Sequence, residues 1–343
     1  MFGKNLRYYR LRQSMTKKML ADKSDLTAMA ITNYENGSRM PNMETLKKLA
    51  NALDVRVSDF LAVRNENLVF SHGEFRKCAT LSQSQQDFIR ESVEEYCSRF
   101  FTVIEILGGD VLPDAPFCNE LKLSNEVELC AKALRLNLGI AEEGPINDLI
   151  GILENKGILV YVCDVADSKF SVMNGFVNNR PYIIINGNMS PERNRSIIAH
   201  ELAHLMFSWP TDMEEKKVEE LATAISGAFL FPKVDAIREL GIRRSSVSKD
   251  MTLVCKEYGI SMFLLVKRAQ MLRIISSGVA KIFYIEASKL GWRSNEPVRI
   301  EEERPTLFEQ LVFRAVSEGD ISVQRGAELL KMPYEQVLSS CQF

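Results

Sequence analysis

The 343-residue chain contains only three histidines, and two of them, His200 and His204, stand four residues apart in SIIAHELAHLMFSWP, with Glu201 directly after the first. On a helix, residues four apart project from one face, so both imidazoles can reach a single metal ion. Glu201 then lies about 100° round the helix, beside the metal but not bound to it. A general base for a zinc-activated water needs that position. The H-E-x-x-H spacing therefore points to Zn2+-assisted hydrolysis, with His200 and His204 as metal ligands and Glu201 as the catalytic base.

Catalytic zinc usually takes three protein ligands and leaves a fourth position open. Without a third usable histidine, the remaining ligand must be Asp, Glu or Cys, and the segment EEKKVEELATAISGAFLFP offers it. Val218, Leu221, Ala222, Ile225 and Phe229 mark a buried helical stripe, and Glu219 lies at its margin. Ala222, Ala224, Ser226, Gly227 and Ala228 are small enough for this helix to approach another closely. Glu219 is the expected third ligand and Glu220 its rival. A structural zinc is the competing reading, but such sites favour four protein ligands, often cysteines, and have no use for Glu201.

The elements that must hold these residues can be read around them. Ser190 as N-cap and Pro191 at the first helical position launch a helix through ERNRSIIAHELAHLMF that runs to Trp209-Pro210. Upstream, SNEVELCAKALRLNLG and GPINDLIGILENKG are amphipathic helices ended by Gly. ILVYVCDV, SVMNGFVNN and PYIIING are β-branched and aromatic strands. This half is expected to be an α+β domain with a small sheet.

YIIINGNMSPERNRSIIAHELAHLMF followed by EELATAISGAFLFP resembles the zinc-peptidase domain of the ImmA/IrrE family, over about residues 123–275. The residues that carry the resemblance are His200-Glu201-x-x-His204, then Glu219-Glu220-Leu221-Ala222 as E-x-x-A, then Phe229-Leu230-Phe231-Pro232. The resemblance implies a zincin-like metallopeptidase fold and amide hydrolysis, in which Glu201 takes a proton from water and passes it to the leaving amine. Thr223 departs from the family's usual Asn or Asp, Ile225-Ser226 from Phe-Ala, and Ala203 from a frequent Gly. None of these removes a ligand or the base, although the Asn or Asp position could orient a ligand.

Residues 1–64 carry twelve Lys and Arg against six Asp and Glu, a net of +6 within a chain whose formal charge is −2. A basic head on an acidic body suggests a polyanionic partner for the head. Residues 2 to 61 read as short helices. Phe2, Leu6, Tyr9 and Leu11 share a stripe, Thr16 caps a second helix, a third runs from Thr27 to near Gly37, Asn42 caps a fourth, and Ser58 is expected to cap a fifth.

Leu20-Ala21, Ile31, Tyr34-Glu35-Asn36-Gly37, Arg39, Pro41, Leu46, Leu49-Ala50 and Leu53 make residues 3 to 62 similar to the helix-turn-helix domain of the Cro/repressor (XRE) family. That resemblance implies a recognition helix bearing Thr27, Ala28, Met29, Thr32 and Asn33 toward base edges of a double-stranded DNA operator, with Lys17 and Arg39 on phosphates. It also implies an internal Arg10–Glu35 ion pair and binding as a homodimer.

The rest is less marked. SQQDFIRESVEEYCSRFFTVIEIL reads as one long helix from about Ser84 to Leu107, and residues 304 to 337 as two helices separated by Gly319-Asp320. That tail resembles the C-terminal extension of fused regulator-peptidase members of the family, suited to docking or dimerisation. Seven scattered cysteines without a C-x-x-C pair suggest reduced thiols. No run of about 18 apolar residues would cross a bilayer, and MFGKNLRYYRLRQ lacks the apolar core of a secretory signal, so no membrane partner and a cytoplasmic location are expected.

The expected layout is multidomain: an all-α helix-turn-helix domain (1–64), a helical linker or dimerisation region (65–122), an α+β zincin-like metallopeptidase domain (123–280) and a helical C-terminal extension (281–343). The resemblances imply a transcriptional regulator acting through limited proteolysis of a repressor or of itself, often under stress or in prophage control. The alternatives are a repressor or antitoxin whose peptidase-like domain binds a partner toxin or ligand with little cleavage, and a housekeeping peptidase, which the DNA-binding head disfavours.

Overall fold

The computed structural model describes residues 1–73, 81–165, 170–293 and 295–341. The chain forms two compact units, one made of Met1–Leu112 together with Leu307–Phe343, the other of Pro113–Thr306. The residues from Leu307 onward thus belong with the N-terminal ones.

The first unit begins with five helices, α1 (Phe2–Arg12), α2 (Lys17–Ser24), α3 (Ala28–Glu35), α4 (Met43–Leu53) and α5 (Val57–Leu61). Leu6, Leu20, Ile31, Leu49, Leu53 and Phe60 are fully buried between them, the apolar payload that offsets the cost of ordering such short helices. The hydroxyls of Thr16 and Thr27 and the amide oxygen of Asn42 accept from Met19, Ala30 and Thr45 backbone N–H groups, so three caps sit where the sequence places them. Ser58 does not cap α5. The helix starts earlier, with Arg56 as N-cap, because the Asp59 carboxylate reaches back to the Arg56 N–H at 2.9 Å. Gly3 lets α1 cross the end of α3, since a Cβ there would collide with the carbonyls of Tyr34 and Glu35.

The unit continues through a short strand, β1 (Phe70–His72), into the 24-residue helix α6 (Gln83–Ile106), whose N-terminus is closed by the reciprocal Ser82–Gln85 capping pair. Three C-terminal helices follow: α15 (Leu307–Ser317) and α16 (Val323–Leu330) pack with α6, and α17 (Tyr334–Ser340) packs on α16. The sequence suggested two helices here; Lys331 in the left-handed region (φ 55°) followed by Pro333 divides the second. Phe308 of α15 lies edge-on to Tyr96 of α6, ring centroids 5.4 Å apart.

The second unit is α+β. It comprises β2 (Leu121–Lys122), α7 (Val127–Asn137), α8 (Leu149–Asn155), β3 (Leu159–Cys163), β4 (Val172–Val177), β5 (Arg180–Asn186), α9 (Pro191–Met206), β6 (Phe207–Ser208) and α10 (Glu215–Leu230). It closes with α11 (Lys233–Leu240), α12 (Met251–Tyr258), α13 (Met262–Met271) and α14 (Ser277–Lys289). Strand β5 is central, parallel to β3 with Ile183 opposite Val160, and antiparallel to β4 with Ile183 opposite Asn174. Tyr182, Ile183, Ile184 and Ile185 are all buried, as a strand covered on both faces requires.

Helix α9 ends in β6, which pairs in parallel with β2, Phe207 opposite Leu121. Two buried arginines then fix the end of α10. Arg135 of α7 donates through Nε to the Phe229 carbonyl at 2.7 Å, and Arg268 of α13 through Nε to the Phe231 carbonyl at 2.9 Å. They satisfy carbonyls that a helix terminus leaves without intrahelical partners.

Cys97, Cys118, Cys130, Cys255 and Cys341 are free thiols, and Cys163 is buried; Cys78 lies outside the described residues. Among the described residues, no helix is long and apolar enough to cross a membrane.

Candidate metal centre and nucleic-acid face

Helix α9 starts where the sequence places it, with Ser190 extended and Pro191 in the first turn. Ile198, Ala199, Leu202 and Ala203 enter the core, leaving His200 and His204 on a face that α10 approaches. The approach is close because α10 presents Ala222, Ala224, Ser226 and Ala228, all buried. Its helical phase puts Glu219, three residues before Ala222, opposite the two histidines, while Glu220 is exposed.

The Nε2 atoms of His200 and His204 stand 3.0 Å apart. One Glu219 oxygen is 3.3 Å from His200 Nε2 and the other 3.1 Å from His204 Nε2. Two imidazole nitrogens and a carboxylate thus converge within 4.8 Å of one another. Donors this close can share one ion at bond lengths of about 2 Å. Neutral imidazole and carboxylate are the donors that divalent first-row metals and zinc accept, so the residues fit a metal. His200 is 5% exposed, which keeps one side of the centre dry.

Glu201 points elsewhere on the same helix, 8% exposed. Its Oε2 accepts a hydrogen bond of 2.7 Å from Asn174 Nδ2 on β4. Nothing in the sequence singled out Asn174; the only available signal was a polar residue in an otherwise apolar strand. On the other side of the centre, the Thr223 hydroxyl lies 3.3 Å from His200 Nδ1. It accepts from the imidazole in the tautomer that leaves Nε2 unprotonated toward Glu219. The His204 ring lies against Trp209, centroids 5.6 Å apart, and Trp209 Nε1 donates to the Ala203 carbonyl at 3.3 Å. The third histidine, His72, belongs to the other unit, where it meets Glu94 at 3.3 Å.

In the head, α2 and α3 are joined by a turn in which Asp25 is left-handed (φ 57°). Thr27, Ala28, Met29 and Arg39 are exposed and Thr32 and Asn33 half-buried; Met29 is 69% exposed, against the habit of so apolar a side chain. Thr27 spends its hydroxyl on the cap, and Thr32 donates to the Ala28 carbonyl at 2.9 Å. Lys17 stands 3.6 Å from Glu35. Arg10 donates through Nε and Nη2 to the two oxygens of Glu35, so the internal pair that ties α1 to α3 is present.

Residues 6–60 match the helix-turn-helix family model, and residues 153–270 match that of the IrrE N-terminal-like domain, peptidase family M78. Over 70 residues the chain is 39% identical to an uncharacterized HTH-type transcriptional regulator, YqaE, of Bacillus subtilis (strain 168), a match covering 20% of this chain and 60% of that protein. The chain therefore aligns with less than two thirds of the length of this relative. No solved structure matches. The first of these matches falls on the helical head, and the second contains His200, Glu201, His204 and Glu219.

Proposed function

We propose that this protein is a DNA-binding transcriptional regulator carrying a zinc-dependent peptidase, and that it controls expression through limited proteolysis of another regulator or of itself. The observation that carries this reading is the meeting of the His200 and His204 Nε2 atoms with the Glu219 carboxylate, beside a Glu201 carboxylate that takes no part in the cluster.

His200, His204 and Glu219 hold the metal, which when bound supplies Lewis acidity toward water and toward a scissile carbonyl. Glu201 is the general base: its carboxylate takes the proton of the attacking water and hands it to the departing amine. Asn174 fixes that carboxylate through Oε2, and Thr223 orients His200 through Nδ1.

In the head, α3 lies in the major groove. Thr27, Ala28, Met29, Thr32 and Asn33 face base edges, Asn33 as an adenine reader and Ala28 or Met29 as thymine-methyl contacts. Lys17 and Arg39 hold phosphates. A homodimer on two half-sites supplies the specificity that one short helix lacks.

The test is a mass-spectrometric survey of new protein N-termini in cells carrying the wild type or Glu201→Gln, with and without DNA damage. A terminus that depends on Glu201 names the substrate. If both proteins are expressed and metal-loaded and no such terminus forms, proteolysis is refuted and the domain becomes a partner-binding module of an antitoxin-like repressor.

A further inference from the structure

Within the first unit, a cavity of about 880 Å³ opens between α1, the α4–α5 junction, α6 and the end of α16. That volume is in the range of small-molecule sites. Six cationic side chains line it against four carboxylates. Much of this charge is already spent: Arg56 pairs with Asp59, Arg325 with Glu328, and Arg64 with Glu91 and Asn5. Arg12, Arg99 and Lys331 remain, facing Glu95 and Asp54.

Glu95 is shared. Its Oε1 is 2.9 Å from Lys331 Nζ and 2.9 Å from Arg99 Nε. Arg99 also donates through Nη2 to Glu95 Oε2 at 3.2 Å, so two cations share one carboxylate, and Arg12 makes no ion pair among the described residues. With Glu95 engaged by both Arg99 and Lys331 and Arg12 left over, the wall carries more positive charge than its own carboxylates neutralise.

A second observation is independent of the charge count. Lys331 occupies the left-handed position after α16 (φ 55°), where glycine is the unstrained choice. From there its ammonium reaches over the Tyr8 ring, 4.5 Å from the centroid, and donates to the Tyr8 hydroxyl at 3.2 Å. Burial pushes the ammonium down to about 8 even though Glu95 pulls the other way. A lysine kept at a strained backbone position, with its charge half desolvated, is poorly explained as packing.

We infer that this cavity is a binding site for a small, multiply charged anion held by Arg12, Arg99 and Lys331, and that the bound anion bridges α1 of the DNA-binding head to the C-terminal α16. Phosphoryl and polycarboxylate compounds share this chemistry. Calorimetric titration of the full-length protein with pyrophosphate in one arm and citrate in the other separates the two sources. The variants are Arg12→Gln, Lys331→Met and, as a control on the recognition side, Arg39→Gln.

One of the two anions binds the wild type, and affinity falls about tenfold or more in Arg12→Gln and Lys331→Met, as expected for lost charge-assisted hydrogen bonds, while Arg39→Gln is unaffected. Arg12 is exposed, so its variant folds even if Lys331→Met does not. Binding of neither anion overturns the inference, as does equal binding by wild type and Arg12→Gln. It also fails if Arg12→Gln weakens binding of duplex DNA but not of the anion, which would assign these cations to the nucleic-acid interface.

Discussion

Asn174 on β4 donates from Nδ2 to Glu201 Oε2 on α9 across 2.7 Å, joining the sheet to the helix that bears the paired histidines. The bond positions the carboxylate against the sheet. Asn174→Ala is expected to leave metal content unchanged and to slow cleavage by about ten- to a hundredfold. Metal analysis with cleavage kinetics checks it; a fall in metal content would mean that the bond supports the ligands instead.

Thr223 makes a different prediction, because its hydroxyl addresses a proposed ligand and not the base. Thr223→Val keeps the shape and loses the hydrogen bond. Metal affinity, read by competition with a chromophoric chelator, is expected to fall about tenfold or more, while Thr223→Asn restores it. If wild type and Thr223→Val retain metal equally, the hydroxyl has no orienting role. If the wild type binds no metal at all, the centre itself has been misread.

The difference between what the sequence exposed and what it hid follows from range. Pro191 after Ser190 announces α9 through its fixed φ, Thr27 announces α3 through a cap bond made within one turn, and the Glu219 position followed from the phase of the α10 stripe against Ala222 and Ile225. Asn174 meets Glu201 across 27 residues, and Arg135 meets Phe229 across 94. No local pattern distinguishes such an Asn from a solvated strand residue, or such an Arg from an ordinary helix cation. Ser58 failed as a cap for a smaller reason: Asp59, one residue on, competes for the same helix start and wins at Arg56. The third C-terminal helix went unread because a left-handed Lys331 gives no warning of a break that a glycine would have signalled.

Gly3 carries a stability prediction for the head. Its missing Cβ is what lets α1 cross the Tyr34 and Glu35 carbonyls. Backbone cannot yield as a flexible side chain would, so Gly3→Ala is expected to cost about 1–3 kcal/mol or more. It should raise amide exchange in α1 and α3 without altering the second unit. Unchanged protection in both helices would show that α1 shifts at little cost.

Glu296 predicts a pH dependence in the second unit. Burial raises its carboxyl to about 7, and neighbouring Glu192 adds to the rise, while the Met262 N–H donated to Oε2 at 2.9 Å opposes it. An unfolded chain loses this proton near 4.3. Between those values the folded state holds a proton that the unfolded state has released, so the Glu296 contribution is fully present below about 4.3 and is lost as pH rises through about 7. Trp209 and Trp292 both lie in this unit and report its unfolding by fluorescence. Denaturation of wild type and Glu296→Gln from acid to neutral pH should give a stability difference that grows in favour of the variant as pH rises, because glutamine keeps the acceptor for Met262 and cannot ionise. A difference independent of pH would mean that Glu296 is solvated in the folded protein and already ionised across the range.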